Sequence, residues 1–128
     1  MAYRPQRMKF GAFFAPFHND RTNPTLALES DMELIAYMDK LSFDEARIGA
    51  HPSDGHECIA SPELMSAPVA ERTKHIRLGT GVSSLAYHHP LILADRIAQL
   101  DHQTRGRVMF GVGPGQLIAD AYMMGVNP

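Results

Sequence analysis

The sequence predicts an α/β fold in which successive βα units lay down a parallel sheet. Short β-like apolar runs alternate with longer stretches of helical period, the pattern of strand and crossover helix. Three helical stretches open on a polar residue followed by proline, at Asn23-Pro24, Ser61-Pro62 and His89-Pro90. Proline at a first helical position forfeits no hydrogen bond, and the residue before it is placed to act as N-cap. The strand-to-strand spacing of about 30 residues is that of a βα unit rather than of a solenoid repeat.

The first strand is read at residues 8–15, followed by the loop Phe17-His18-Asn19-Asp20 and a helix from Asn23-Pro24. Along that helix Leu28, Met32, Ile35 and Met38 recur at helical spacing, so this face packs on the sheet. Ser42 sits near its end. The second strand covers 44–49, its polar loop 50–56, and the next helix starts at Ser61-Pro62. The third strand covers 76–82, with a loop through 83–88 before the helix at His89-Pro90. Gly106 reads as a left-handed cap ahead of a fourth strand at 107–112, which runs into Gly113-Pro114-Gly115 and a short helix.

Residues 1–128 read as one unit, since no linker or low-complexity segment divides them. A complete (β/α)8 barrel takes about 250 residues, so this length holds about half of one. A net charge of -2 without a basic run points away from nucleic acid and from anionic membrane surfaces. No apolar run approaches the roughly 18 residues that span a bilayer, and Met1-Ala2-Tyr3-Arg4-Pro5-Gln6-Arg7 leads into no signal core. The lone Cys58 excludes an internal disulfide framework and fits the cytoplasm.

Polar chemistry gathers where strands end. His18 and Asn19 follow the first strand, His51 and His56 the second, and His88 and His89 the third, leaving His75 and His102 elsewhere among seven histidines. In a βα barrel this end carries the active site. Each histidine also has a plain reading as a surface or capping residue, and His89, just before Pro90, is structural. The spacings match no metalloprotease or Cys/His metal site. There is no Gly-x-Ser-x-Gly elbow, and Cys58 reads as a buried, inert thiol. Gly111-Val112-Gly113-Pro114-Gly115 departs from a dinucleotide fingerprint, because Pro114 occupies a loop position and the glycine spacing differs. Two readings stand for it: a tight turn at the end of a buried strand, or a backbone that lets a flat ring approach.

Met8-Lys9-Phe10-Gly11, Phe43-Asp44-Glu45-Ala46, Leu78-Gly79-Thr80-Gly81-Val82 and His88-His89-Pro90 together resemble the bacterial luciferase-like flavin-dependent monooxygenases, in particular the limonene and alkanal monooxygenase-like members. The likeness runs from Met8 to Gly125. It implies a (β/α)8 TIM-barrel type with about the first four βα units present. It also implies oxygenation of a small apolar organic substrate with O2 and reduced FMN, the latter delivered by a flavin reductase in a transient encounter. By resemblance His51 is the histidine that assists flavin oxygenation by handling a proton. Gly81-Val82 matches a peptide bond that is cis in the family and lies against the flavin. Phe13 matches a residue near the flavin, and Gly113 and Pro114 match positions beside the ring and toward its phosphate.

The chain departs from the family's Trp-Ile-Gly-Glu-His-His, reading Arg47-Ile48-Gly49-Ala50-His51-Pro52. That places an arginine in a nominally buried strand, where an unpaired charge is costly, and removes the acidic neighbour of His51. Phe13, Phe14, Phe17 and Leu85 are candidates to line an apolar pocket. As the N-terminal half of a barrel, the chain is expected to be a truncated form, weakly active or inactive alone. Its unpaired edge strands are expected to drive homo-oligomer formation. A deazaflavin-dependent oxidoreductase of the same fold, a noncatalytic barrel fragment and a metal-dependent hydrolase are the alternatives.

Overall fold

In a computed structural model of the chain, residues 7–15, 17–53, 55–115 and 117–127 are described. Of the features read above, residues 1–6, Asp54 in the second loop and the closing Pro128 lie outside them. Strand β1 (Gly11–Phe14), β2 (Glu45–Ile48), β3 (Arg77–Thr80) and β5 (Val108–Met109) form one sheet in that spatial order, every pairing parallel. A separate pair, β4 (Ser83–Ser84) and β6 (Val112–Gly113), is also parallel. The crossovers are α1 (Pro24–Lys40), α2 (Pro62–Arg72) and α3 (Pro90–Thr104), and α4 (Ile118–Met123) follows β6. This is the α/β architecture of successive βα units that the sequence predicts.

The helix starts follow their local chemistry. Asn23 caps α1 by accepting from the Thr25 amide, and Ser61 caps α2 by accepting from the Leu64 amide, each with proline next in line. His89 occupies the same position on α3 without a side-chain capping bond, so its role there is backbone placement. The end of α3 differs slightly from the sequence reading. Arg105 is the left-handed C-cap at φ 59°, and Gly106 continues at φ 78°.

Register decides the two faces of the sheet. Ala12, Ala46 and Leu78 stand level in one row, as do Phe14, Ile48 and Thr80 in another. Ala46, Ile48 and Leu78 are buried, and they pack with Ile35 and Met38 of α1, Met65, Val69 and Ala70 of α2, and Ile76. Burial of each large aliphatic side chain here contributes about 1.5–3 kcal/mol. Leu28 and Met32 pack at the margin of this core, as their spacing implies, and so does Phe14. Phe14 is therefore a core residue on the helix side, because strand alternation turns it away from Phe13.

The opposite face carries Phe13, Arg47, Gly79 and Met109 in one row. It is largely open, with Phe13 60% exposed. Arg47 lies here too, its side chain 46% exposed and 3.5 Å from Glu45. The expected burial of this arginine is thus corrected: at an odd position of β2 it projects away from the helices.

The strands are shorter than the apolar runs suggest, and the third and fourth are broken. Beyond Thr80 comes the cis peptide Gly81-Val82, and pairing resumes at Ser83. At the break, Thr80 Oγ1 donates to the Gly111 carbonyl at 2.7 Å and accepts from the Gly111 amide at 3.0 Å. A hydroxyl thereby replaces one rung of the β-ladder. A Cβ on Gly111 would collide with the Thr80 carbonyl oxygen, so this close approach requires glycine.

Two half-buried polar clasps hold the frame. Asp39 at the end of α1 accepts from the amides of Lys74, His75 and Ile76 at 2.8, 2.9 and 2.6 Å. Arg107 directs its guanidinium at the Thr104, Ile76, Ala70 and Thr73 carbonyls and at the Thr73 hydroxyl. It ties the ends of α2 and α3 to the start of β3.

Candidate functional site

The loops at the C-terminal ends of the strands meet on one side of the sheet. The β1 loop and the β2 loop are zipped together: Phe17 bridges Glu57, the His18 amide donates to the His56 carbonyl at 3.1 Å, and Phe17 stacks on His56. His18 is a structural member of this zipper. Its Nε2 lies 2.8 Å from Asp31 Oδ2, and its Nδ1 accepts from the Cys58 amide at 3.5 Å. Cys58 is a free thiol and only partly buried, less enclosed than the sequence suggests.

His51 stands in the β2 loop with its side chain 38% exposed. Its Nδ1 is 3.4 Å from Asp120 Oδ2, and its Nε2 is 4.0 Å from Glu57 Oε2. Both carboxylates are nearly enclosed, at 4% and 2% side-chain exposure. The second oxygen of Asp120 accepts from the Ser53 amide at 2.9 Å. Burial pushes the Asp120 pKa up, but hydrogen bonds from Ser53 and His51 outweigh it and hold this carboxyl below its ordinary range.

An ionised Asp120 sets the tautomer. Nδ1 carries the proton toward the carboxylate, and Nε2 is left as the basic nitrogen. The loss of an acidic neighbour at Ala50 is thus offset by Asp120 from α4 and Glu57 from the loop's far end. Sequence reasoning missed both. Glu57 was passed over beside Cys58, and Asp120, 69 residues from His51, carries no local signal at all.

The residues named from resemblance fall in two groups. A Cβ on Gly81 would lie 2.9 Å from Cε2 of Phe13, and one on Gly113 would lie 2.8 Å from Cγ2 of Val82. Phe13, Gly81, Val82 and Gly113 are therefore neighbours around the cis peptide. Pro114 stands apart, lining a different cavity with Tyr87 and Leu117. His51 joins the first group indirectly, since Ala50, Val82 and Asp120 share a cavity. Phe13, Phe17 and Leu85 are exposed and line no enclosed apolar pocket among the described residues. Among those residues no group of His, Cys, Asp and Glu is arranged to hold a metal ion. No described helix is long and apolar enough to cross a membrane.

Comparison with known proteins gives these contacts a setting. The luciferase-like monooxygenase family matches residues 8–128. Limonene 1,2-monooxygenase of Rhodococcus erythropolis is 50% identical over 122 residues, which are 95% of this chain and 32% of that protein. 4-Hydroxyprotoasukamycin monooxygenase of Streptomyces nodosus subsp. asukaensis is 47% identical over 123 residues, 96% of this chain and 33% of that protein. The oxygenating constituent of 3,6-diketocamphane monooxygenase from the CAM plasmid of Pseudomonas putida, a type II Baeyer–Villiger enzyme solved in complex with FMN, superposes with a TM-score of 0.89. It is 28% identical, and the match covers 93% of this chain and 33% of that one. The chain spans about a third of the length of these relatives. The parallel sheet, the crossover helices and the sequence match over residues 8–128 establish that this chain belongs to the luciferase-like monooxygenase family.

Proposed function

We propose that the chain forms part of an FMN-dependent monooxygenase that oxygenates a small apolar organic substrate with O2. Supporting this is the surface around Gly81-Val82, where Phe13 and Val82 leave apolar area uncovered beside the His51–Asp120 pair. A flat ring system suits the face beside the cis peptide, because Gly81 there carries no side chain and lies against Phe13. Phe13, Gly81, Val82 and Gly113 would hold the ring, with Pro114 toward its phosphate. When bound, FMN supplies the oxygen chemistry.

His51 is the proposed proton-handling residue. Asp120 orients the imidazole through Nδ1 and leaves Nε2 to take or return a proton near the ring. Glu57 Oε2 lies 4.0 Å from the same Nε2.

The reduced cofactor comes from a separate flavin reductase in a passing encounter, and Cys58 as a lone thiol goes with a cytoplasmic setting. Residues 1–128 act as one unit with weak turnover alone, because the open face of the sheet leaves Phe13 and Val82 in water. Edge strands β1 and β5 and this face favour a homo-oligomer in which two copies cover each other. Light scattering after size exclusion tests that, and a stable monomer at high concentration would sink it.

The cofactor reading is tested by titrating FMN into the protein and following flavin fluorescence beside a parallel titration with a deazaflavin. Quenching that saturates with FMN is expected. No quenching at high micromolar FMN removes the reading, and a clear preference for the deazaflavin moves it to an oxidoreductase of that type.

A further inference from the structure

Arg47 projects from β2 onto the open face of the sheet, in the row of Phe13, Gly79 and Met109. Its side chain crosses β3 along a path that glycines leave clear. A Cβ on Gly81 would lie 3.3 Å from Arg47 Cβ, one on Gly79 3.3 Å from its Cγ, and one on Gly111 3.7 Å from its Nη1. The guanidinium therefore ends beside Gly111, where the ladder breaks. Gly81 also lies against Phe13, so Arg47 and Phe13 both border the cis peptide. Among the described residues the one ion pair of Arg47 is with Glu45, 3.5 Å from Nη2, and Nη1 takes part in no hydrogen bond. The side chain is 46% exposed and can meet a ligand. In the next row Glu45 and Arg77 lie on the same face, so arginines outnumber carboxylates among its strand residues. Asp120 and Glu57 are nearly enclosed and turned to His51.

On the FMN reading, on which this rests, we propose that Arg47 touches the flavin ring and makes the site hold reduced FMN in preference to oxidised FMN. The two forms differ in charge. Reduction brings two electrons and, in the anionic form, one proton, so the ring gains one negative charge. Phe13, Val82 and the glycines meet a ring by shape and do not sense that difference. A guanidinium does sense it, and its plane also stacks on flat rings. Charge placed near the ring is one of a protein's means of tuning a flavin. In the free chain water screens the arginine, and a bound ring displaces that water and strengthens the attraction. Glu45 opposes it in part, but from the side of Nη2, leaving Nη1 available. A site that receives its cofactor already reduced gains from this preference, because it captures the form that reacts with O2 and releases the oxidised one.

The test uses the whole chain and measures its affinity for oxidised FMN and for photoreduced FMN by calorimetric titration under nitrogen at pH 8. The parent is expected to hold the reduced form about tenfold tighter, the order of one hydrogen bond to a charged group. That ratio places the midpoint potential of bound FMN about 30 mV above that of free FMN. Arg47→Gln should bring the two affinities within about twofold of each other by weakening the reduced form. Arg47→Lys should keep part of the preference, and Glu45→Gln should enlarge it. Circular dichroism checks that each variant folds, and if Arg47→Gln does not, the gain in Glu45→Gln decides. A preference that survives Arg47→Gln, or a parent without one, overturns the role of Arg47 and leaves FMN binding standing. Equal loss of both forms in Arg47→Gln places the guanidinium at the phosphate and likewise overturns it. No binding of either form by the parent removes the cofactor reading, and the role of Arg47 with it.

Discussion

Asp120 Oδ2 lies 3.4 Å from Nδ1 of His51, although 69 residues of chain separate them. The same carboxylate takes the Ser53 amide on its other oxygen. A group on α4 therefore fixes both the orientation of the imidazole and the path of the loop that carries it. The acid neighbour absent at Ala50 is supplied from a distance.

Replacing Asp120 by alanine should release this loop. The Ser53 amide loses its acceptor, and its hydrogen exchange should speed up by about tenfold or more, measurable by NMR at neutral pH. The pH sense follows from the lowered pKa of Asp120. The carboxylate is ionised in the folded chain at pH values where the unfolded chain has begun to protonate, so its stabilisation is full above about pH 4 and fades as pH falls through the folded value. Ser53 protection in the parent chain should accordingly persist in mild acid. Equal exchange rates in parent and variant at pH 7 would refute the role assigned to Asp120.

Asp39 presents a purely structural version of the same physics. Burial raises its pKa, yet three amide donors, from Ile76, Lys74 and His75, hold it below the ordinary value. Asp39→Ala should cost about 1.5–3 kcal/mol in urea unfolding at pH 7. Because a lowered folded pKa makes the contribution present at high pH and lost in acid, the gap between parent and variant should close as the pH falls below about 4.

Arg107→Ala should destabilise by about 3 kcal/mol, since carbonyls of Ala70, Thr73 and Ile76 lose a charged donor at once. Burial lowers the pKa of this guanidinium first, and charges from Asp39 and Glu71 only partly restore it. Arg107→Lys should recover little, because a point charge cannot reach several acceptors in a plane as the guanidinium fork does. Thermal unfolding of the two variants checks this, and a lysine variant as stable as the parent would contradict it.

Gly79 on β3 and Gly111 between β5 and β6 should behave differently when changed to alanine. At Gly111 the new Cβ meets the Thr80 carbonyl oxygen, part of the backbone, whereas at Gly79 its nearest neighbour is the end of the Met109 side chain, at 3.0 Å. Gly111→Ala should cost about 2–3 kcal/mol, and Gly79→Ala less than about 1 kcal/mol, since a flexible thioether can move aside. Chemical denaturation of both variants gives the comparison directly.

Much of the fold was legible because its signals are local. The Leu28, Met32, Ile35 and Met38 spacing, the Asn23 and Ser61 caps with their prolines, and the βα alternation each act within a few residues, and each reappears in the structure. Strand ends were less legible: apolar character runs on past Thr80, but the backbone turns at Gly81 and Gly111 and the ladder stops. Arg47 was misread for a related reason. Its composition is that of a buried strand, and only the register with Phe13 and Gly79 shows which face it takes.

The amino-acid sequence by itself determined the order of elements, the family, and the placing of His51 in a loop at the chemical end of the sheet. The tertiary structure alone decided which groups surround it: Asp120 on Nδ1 and Glu57 near Nε2. Helix and strand patterns follow from backbone periodicity, which any short window contains. Partners far apart in the chain are chosen only when helices and loops pack, because a hydrogen bond across 69 residues depends on the position of every element between.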